Sequence, residues 1–93
     1  MRSLVLISLL ILSACRGAGV ELPEDGERVG WEQAEALILA GEVEAVFQTH
    51  SLEVTLTLNN GAQVQTTEPS IDLVFRVAQE CGTPCADILL VTE

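Results

Sequence analysis

The side chains best suited to thiol or metal chemistry in this chain are three cysteines and one histidine. Two of the cysteines sit close together in Cys81-Gly82-Thr83-Pro84-Cys85. In an oxidising compartment such a pair closes as a structural disulfide by default. Closing so short a loop stabilises by roughly 2 kcal/mol, which matters in a small domain. The rival is a thiol-redox pair. Reactive pairs usually have two residues between the cysteines and sit at a helix start, whose positive end favours thiolate. Here three residues intervene and the expected helix is ending. A metal site built from Cys81, Cys85, His50 and Asp87 would need His50 brought in from far along the chain. His50 adjoins Ser51 in an expected turn, and neighbours on a turn do not make a nucleophile–base–acid relay. Glu42 and Glu44 lie in a charge-rich strand and read as a wet face rather than an acid–base pair. The expectation is a non-enzymatic protein with no cofactor, no bound metal and no small-molecule substrate.

The third cysteine has a different setting. Arg2 precedes an apolar run, Leu4 to Leu12, followed by Ser13, Ala14 and Cys15. A positive start, a short apolar centre and small residues before a cut make a secretory leader. Nine helical residues span about 14 Å, under half a bilayer core, so a permanent spanning helix is not expected. Leu12-Ser13-Ala14-Cys15 resembles the bacterial lipobox. That resemblance implies removal of residues 1–14 and, on Cys15, a diacylglyceryl group on sulfur and an N-acyl chain. Several acyl chains anchor firmly where one would not. It also implies a cell-envelope location facing the periplasm or the cell exterior. Arg16 is not the aspartate that retains such proteins in the inner membrane, which points to the outer membrane where two exist. The odd cysteine count then resolves, with Cys15 acylated and Cys81 paired with Cys85.

Charge narrows the partners. The full chain carries 14 acidic and 4 basic residues, for a net charge of −10, and losing Arg2 makes it more acidic still. Nucleic acid needs cations facing phosphates and is not an expected partner. Nor would this surface grip anionic lipid, so acyl chains must do the anchoring. A cationic partner is compatible with the charge, although acidity more often serves solubility.

Beyond the leader we expect two parts: a lipidated flexible acidic stalk over 15–29 and one small domain over 30–93. Arg16 to Arg28 is rich in glycine and acids and poor in apolar residues. Its Pro-Glu-Asp-Gly-Glu run lacks the alternating ligands of a calcium loop.

Trp31 to Ala40 has helical spacing, with Trp31, Ala34, Leu37 and Ile38 on one face and Gly41 as the stop. Val43 to Thr49 reads as a strand with Val43, Ala45 and Phe47 inward. Val46 breaks that alternation and calls for a bulge or a second buried face. Leu52 to Leu58 alternates without error: Leu52, Val54, Leu56 and Leu58 against Glu53, Thr55 and Thr57. Asn59-Asn60-Gly61 is a hairpin turn, and Ala62 to Thr67 the returning strand. Pro69 suits the first turn of a second helix reaching Cys81, with Ile71, Val74, Phe75, Ala78 and Cys81 as its buried stripe. Gly82 and Pro84 end it. The apolar run from Ile88 to Thr92 reads as a last strand covered on both faces. A helical crossover should return it right-handed and parallel to the third strand. The expected fold is therefore α+β, ordered α-β-β-β-α-β. It is a two-layer sandwich with both helices on one face of a four-stranded mixed sheet.

Over Gly30 to Glu93 the motifs Trp31-Glu32-Gln33-Ala34, Ala40 to Val46, Val54 to Gly61 and Thr66-Thr67 are similar to the extracytoplasmic domain of FtsH, a membrane-anchored ATP-dependent protease. That resemblance implies the same element order and a role in assembly or contacts with membrane partners. No catalytic residue lies in that domain of the family. The family's spanning helices, ATPase module and zinc protease module have no counterpart here, and Cys81 and Cys85 are additions.

One surface stands out as a binding candidate. Glu53, Thr55, Thr57, Gln63, Gln65 and Thr67 should line the sheet face away from the helices, uncharged except for Glu53. Either this face or the exposed edge of the meander is expected to dock an envelope protein. The functional expectation is a lipid-anchored interaction or assembly module. The alternative is a small envelope thiol-redox or metal-handling protein using Cys81 and Cys85.

Overall fold

The computed structural model describes residues 20–93. The expected leader, the expected lipidation site Cys15 and the first part of the expected stalk lie outside the described residues. The order is α1 (Trp31–Leu39), β1 (Val43–Gln48), β2 (Glu53–Leu58), β3 (Gln63–Thr67), α2 (Leu73–Glu80) and β4 (Leu89–Thr92). A short 3-10 turn, Thr83–Cys85, precedes β4. The described residues form the expected α+β arrangement, with two helices and a four-stranded mixed sheet.

Local chemistry places each element. Gly41 ends α1 at φ +79°, and a Cβ there would meet Pro84, so this close approach suits glycine. The β1–β2 pair is antiparallel with a register shift between Val43 and Ala45. That bulge accounts for the inward Val46, because it reverses the strand's faces. Val43, Val46 and Gln48 point into the core, while Phe47 is 41% exposed. The expected inward set of Val43, Ala45 and Phe47 is thus corrected after its first member. An extra residue shifts the phase of a period-two pattern by one. At the next turn Gly61 takes φ +91° and the Asn60 carboxamide accepts from Ala62 N–H at 2.9 Å.

The sheet order is β3-β2-β1-β4, and β4 runs parallel to β1, from Ala45↔Leu89 to Gln48↔Thr92. The expectation that β4 lies beside β3 is therefore corrected. The edge of β3 is already taken. Gly26 N–H donates to the Gln63 carbonyl (2.7 Å), Gln65 N–H to Glu27 (3.0 Å) and Val29 N–H to Gln65 (2.8 Å). Asp25 Oδ1 accepts from Gln63 N–H at 2.7 Å. Pro23 and Val29 are buried. The later part of the expected stalk is thus a strap along β3, because a sheet edge offers unpaired groups that a polar extended segment can satisfy.

Helix α2 starts later than expected. Asp72 stands before it at φ +69°, a left-handed conformation that cannot continue a helix backward through Pro69. Gln48 holds it there: Asp72 N–H donates to Gln48 Oε1 (2.8 Å) and Gln48 Nε2 donates to Asp72 Oδ1 (3.0 Å). Ile71, expected in the stripe, falls outside the helix and is 47% exposed. Val74 and Ala78 are buried as expected, and Phe75 and Cys81 pack partly against the core.

The core lies between the helices and one sheet face. Ala34, Leu37 and Ile38 of α1 and Val74 and Ala78 of α2 meet Val46, Val54, Leu56, Leu58 and Val64. β4 is not covered on both faces, since Leu89 is 62% exposed. Ile88 and Leu90 alone pack against the core from this run.

Candidate functional site

The side of the sheet opposite the helices is open. Strand register sorts it into lateral rows. One row is Leu89, Ala45, Thr57 and Gln63, and the next is Val91, Phe47, Thr55 and Gln65. A third pairs Glu53 with Thr67. The six polar residues expected on one face are therefore brought together. Each strand contributes alternate residues, so the face follows from period two and the pairing register.

The far end of that face is closed by its own chemistry. The Arg28 guanidinium donates to Glu53 Oε1, and through its other terminal nitrogen to Thr67 Oγ1 at 3.1 Å. Thr67 Oγ1–H donates in turn to Glu53 Oε2 at 2.8 Å. The Arg28 hydrogen bond, followed by that from Thr67, holds the Glu53 carboxyl below the usual range. Glu53 and Thr67 thus help fasten the strap, and Thr55, Thr57, Gln63 and Gln65 make up the rest of the polar face.

The other end is apolar, which the sequence reading missed. Phe47 is 41%, Leu89 62% and Val91 38% exposed, side by side across β1 and β4. The signal was present in the unbroken Ile88 to Val91 run. The fold supplies no covering layer for the second face of that run, where Leu89 and Val91 stay exposed.

Cys81 and Cys85 form a disulfide, with their Cα atoms 5.7 Å apart. Cys85 is buried, and its Sγ lies 3.1 Å from the Ile38 carbonyl oxygen. The bridge fastens the end of α2 to the 3-10 turn above α1. Cys81 caps the C-terminus of α2, the negative end, where a thiolate is disfavoured. Replacing both cysteines with serine should lower stability by about 2 kcal/mol and the melting temperature by roughly 10 °C. Thermal unfolding of the double variant checks this; an unchanged melting temperature would contradict it.

His50 is at the opposite end of β1 from the bridge, since β4 runs parallel to β1 away from Cys85. Its backbone N–H donates to Glu93 Oε1 at 2.9 Å, and its Nδ1 lies 3.2 Å from the same oxygen. These contacts, the backbone one first, hold Glu93 below the usual carboxylate range. His50 is mostly exposed and does not meet Ser51 as a relay would require. Ser51 Oγ is 2.9 Å from Thr49 Oγ1 instead. Among the described residues, no three His, Cys, Asp or Glu side chains converge as metal ligands would.

One buried acid was not anticipated. Glu68 is 1% exposed and accepts from Val74 N–H at 2.9 Å, satisfying a free donor at the start of α2. Burial raises its carboxyl above the usual range, against the Val74 hydrogen bond. Among the described residues, no helix is long and apolar enough to cross a membrane. Compared with known proteins, the chain matches no protein-family model and no curated protein.

Proposed function

We propose that this chain is a lipid-anchored module of the bacterial cell envelope that docks a protein partner and carries out no reaction of its own. The observation that carries the docking role is the open sheet face, where Thr55, Thr57, Gln63 and Gln65 adjoin exposed Phe47, Leu89 and Val91. Contiguous exposed apolar surface beside ordered polar groups is the usual composition of a protein interface. The anchor reading rests on Leu12-Ser13-Ala14-Cys15 and the apolar run before it. The α-β-β-β-α-β order is also the one implied by the resemblance to the FtsH extracytoplasmic domain, which supports an assembly role.

Chemical crosslinking in intact cells tests both parts. Replacing Thr55 and Gln65 together with lysine should abolish a specific crosslinked partner while leaving the far-ultraviolet circular dichroism unchanged. Cys15→Ser should move the chain out of the membrane fraction. A partner still captured by the lysine variant rejects the polar face. A Cys15→Ser chain that stays membrane-bound, or a native chain with an unmodified Met1 in its mass spectrum, rejects the anchor.

A further inference from the structure

The sheet has two edges, and they are treated differently. Residues 26–29 occupy the β3 edge through main-chain hydrogen bonds. Strand β4 pairs with β1 alone, and no strand among the described residues lies on its other side. Exposed edges are usually blunted by a charge, a proline or a bulge within the strand. Leu89-Leu90-Val91-Thr92 contains none of these. Both faces beside this edge are also furnished for an added strand. On the open face are Leu89, Val91 and Phe47. On the helix side is a cavity of about 240 Å³, lined by Ala78, Gly82, Cys85, Ile88 and Leu90 among others.

Charge decides what fits. Among the described residues the only lysine or arginine side chains are Arg28, which is paired with Glu53, and Arg76. Acids bracket the edge in sequence, with Asp87 before Leu89 and Glu93, whose Oε1 already accepts from His50 N–H, after Thr92. We propose that the outer edge of β4 docks an extended segment of another protein, with apolar side chains at alternate positions and lysine or arginine at its ends. Main-chain hydrogen bonds would supply affinity, and alternate side chains would meet the open face and the cavity. A second copy fits less well. Antiparallel pairing about Leu90 would bring Asp87 of one copy opposite Glu93 of the other. The inference rests on the docking role proposed above and names the partner's chemistry and the edge it uses.

The test uses the chain as purified from cells and three blocked peptides alternating valine and threonine. The first has lysine at both ends, the second glutamate at both ends, and the third is the lysine peptide N-methylated on alternate amides. Binding of the lysine peptide should shift the amide resonances of Leu89 to Thr92 and weaken with added salt. It should be at least about 10-fold tighter than the glutamate peptide. N-methylation on the pairing side should abolish binding, as should Leu89→Lys with Val91→Lys. If that double variant misfolds, the N-methylated peptide on the native chain still decides the matter. Equal binding of both charge forms would overturn the inference. So would native dimerisation through β4, or shifts at Leu89 and Val91 from detergent alone. Shifts confined to Thr55 and Gln65 would also overturn it, while leaving the docking role itself intact.

Discussion

Leu56→Ala is expected to lower the stability of the domain by about 3–4 kcal/mol. Leu56 is fully buried on β2, an interior strand, and its register partners are Val46 on β1 and Val64 on β3, both fully buried as well. Removing the side chain loses its transfer free energy and leaves a cavity that three strands and two helices cannot readily close. Domains of this size are stabilised by only about 0.05–0.15 kcal/mol per residue, so the loss is a large share of the total. Denaturant unfolding followed by the fluorescence of Trp31, the one tryptophan, measures it. Leu39→Ala is the control: that leucine is 51% exposed and its loss should cost no more than about 0.5 kcal/mol. Equal midpoints for the two variants would show that the core is not where the structure puts it.

Glu68→Ala is expected to cost roughly 3 kcal/mol, through an orphaned Val74 N–H and the space left by the side chain. Glu68→Gln should behave differently, since it keeps an acceptor for Val74 and removes the charge. The second carboxyl oxygen, Oε2, and the buried Thr66 hydroxyl have no hydrogen-bond partner among the described residues. A buried carboxylate so placed prefers to hold its proton. Its folded-state pKa is therefore raised. The linked stability is fully present below the ordinary carboxylate range and is lost as pH rises through the folded value. Glu53 and Glu93 act in the opposite sense. Their folded pKa values are lowered, so their contribution is present above the ordinary range and is lost as pH falls through the folded values. From acid to neutral pH the denaturation midpoint of the native chain should thus decline relative to that of Glu68→Gln. Identical slopes would mean that Glu68 ionises as freely when folded as when unfolded.

Much of the architecture was legible because its causes are local. The alternation from Leu52 to Leu58 leaves one face for the core whatever lies around it, and the buried positions of β2 are Val54, Leu56 and Leu58. Gly41 and Asn59-Asn60-Gly61 end or reverse the chain through backbone sterics that act over a few residues. Where the reading failed, a distant partner decided the outcome. The Val43 to Gln48 strand showed its irregularity, but the choice of inward side chains after Val43 depended on register with β2. Ile71 had the right spacing for a helical stripe. Asp72, held in the left-handed region by Gln48 from β1, removed it from the helix.

The candidate face divides along the same line. The polar rows of β2 and β3 could be read off by counting every second residue. Their apolar neighbours could not, because Leu89 and Val91 join that face only once β4 lies beside β1.

By itself the sequence determined the kinds of elements, their order, the acidity of the surface and the proximity of Cys81 and Cys85. Periodicity, turn sterics and charge count depend on residues near one another in the chain. Only the tertiary structure decided which strand β4 joins, which edge stays free and that Glu68 is buried. An added strand can satisfy its backbone on either outer edge of a meander with similar local chemistry. Here residues 26–29 occupy the β3 edge, which leaves β4 the edge of β1.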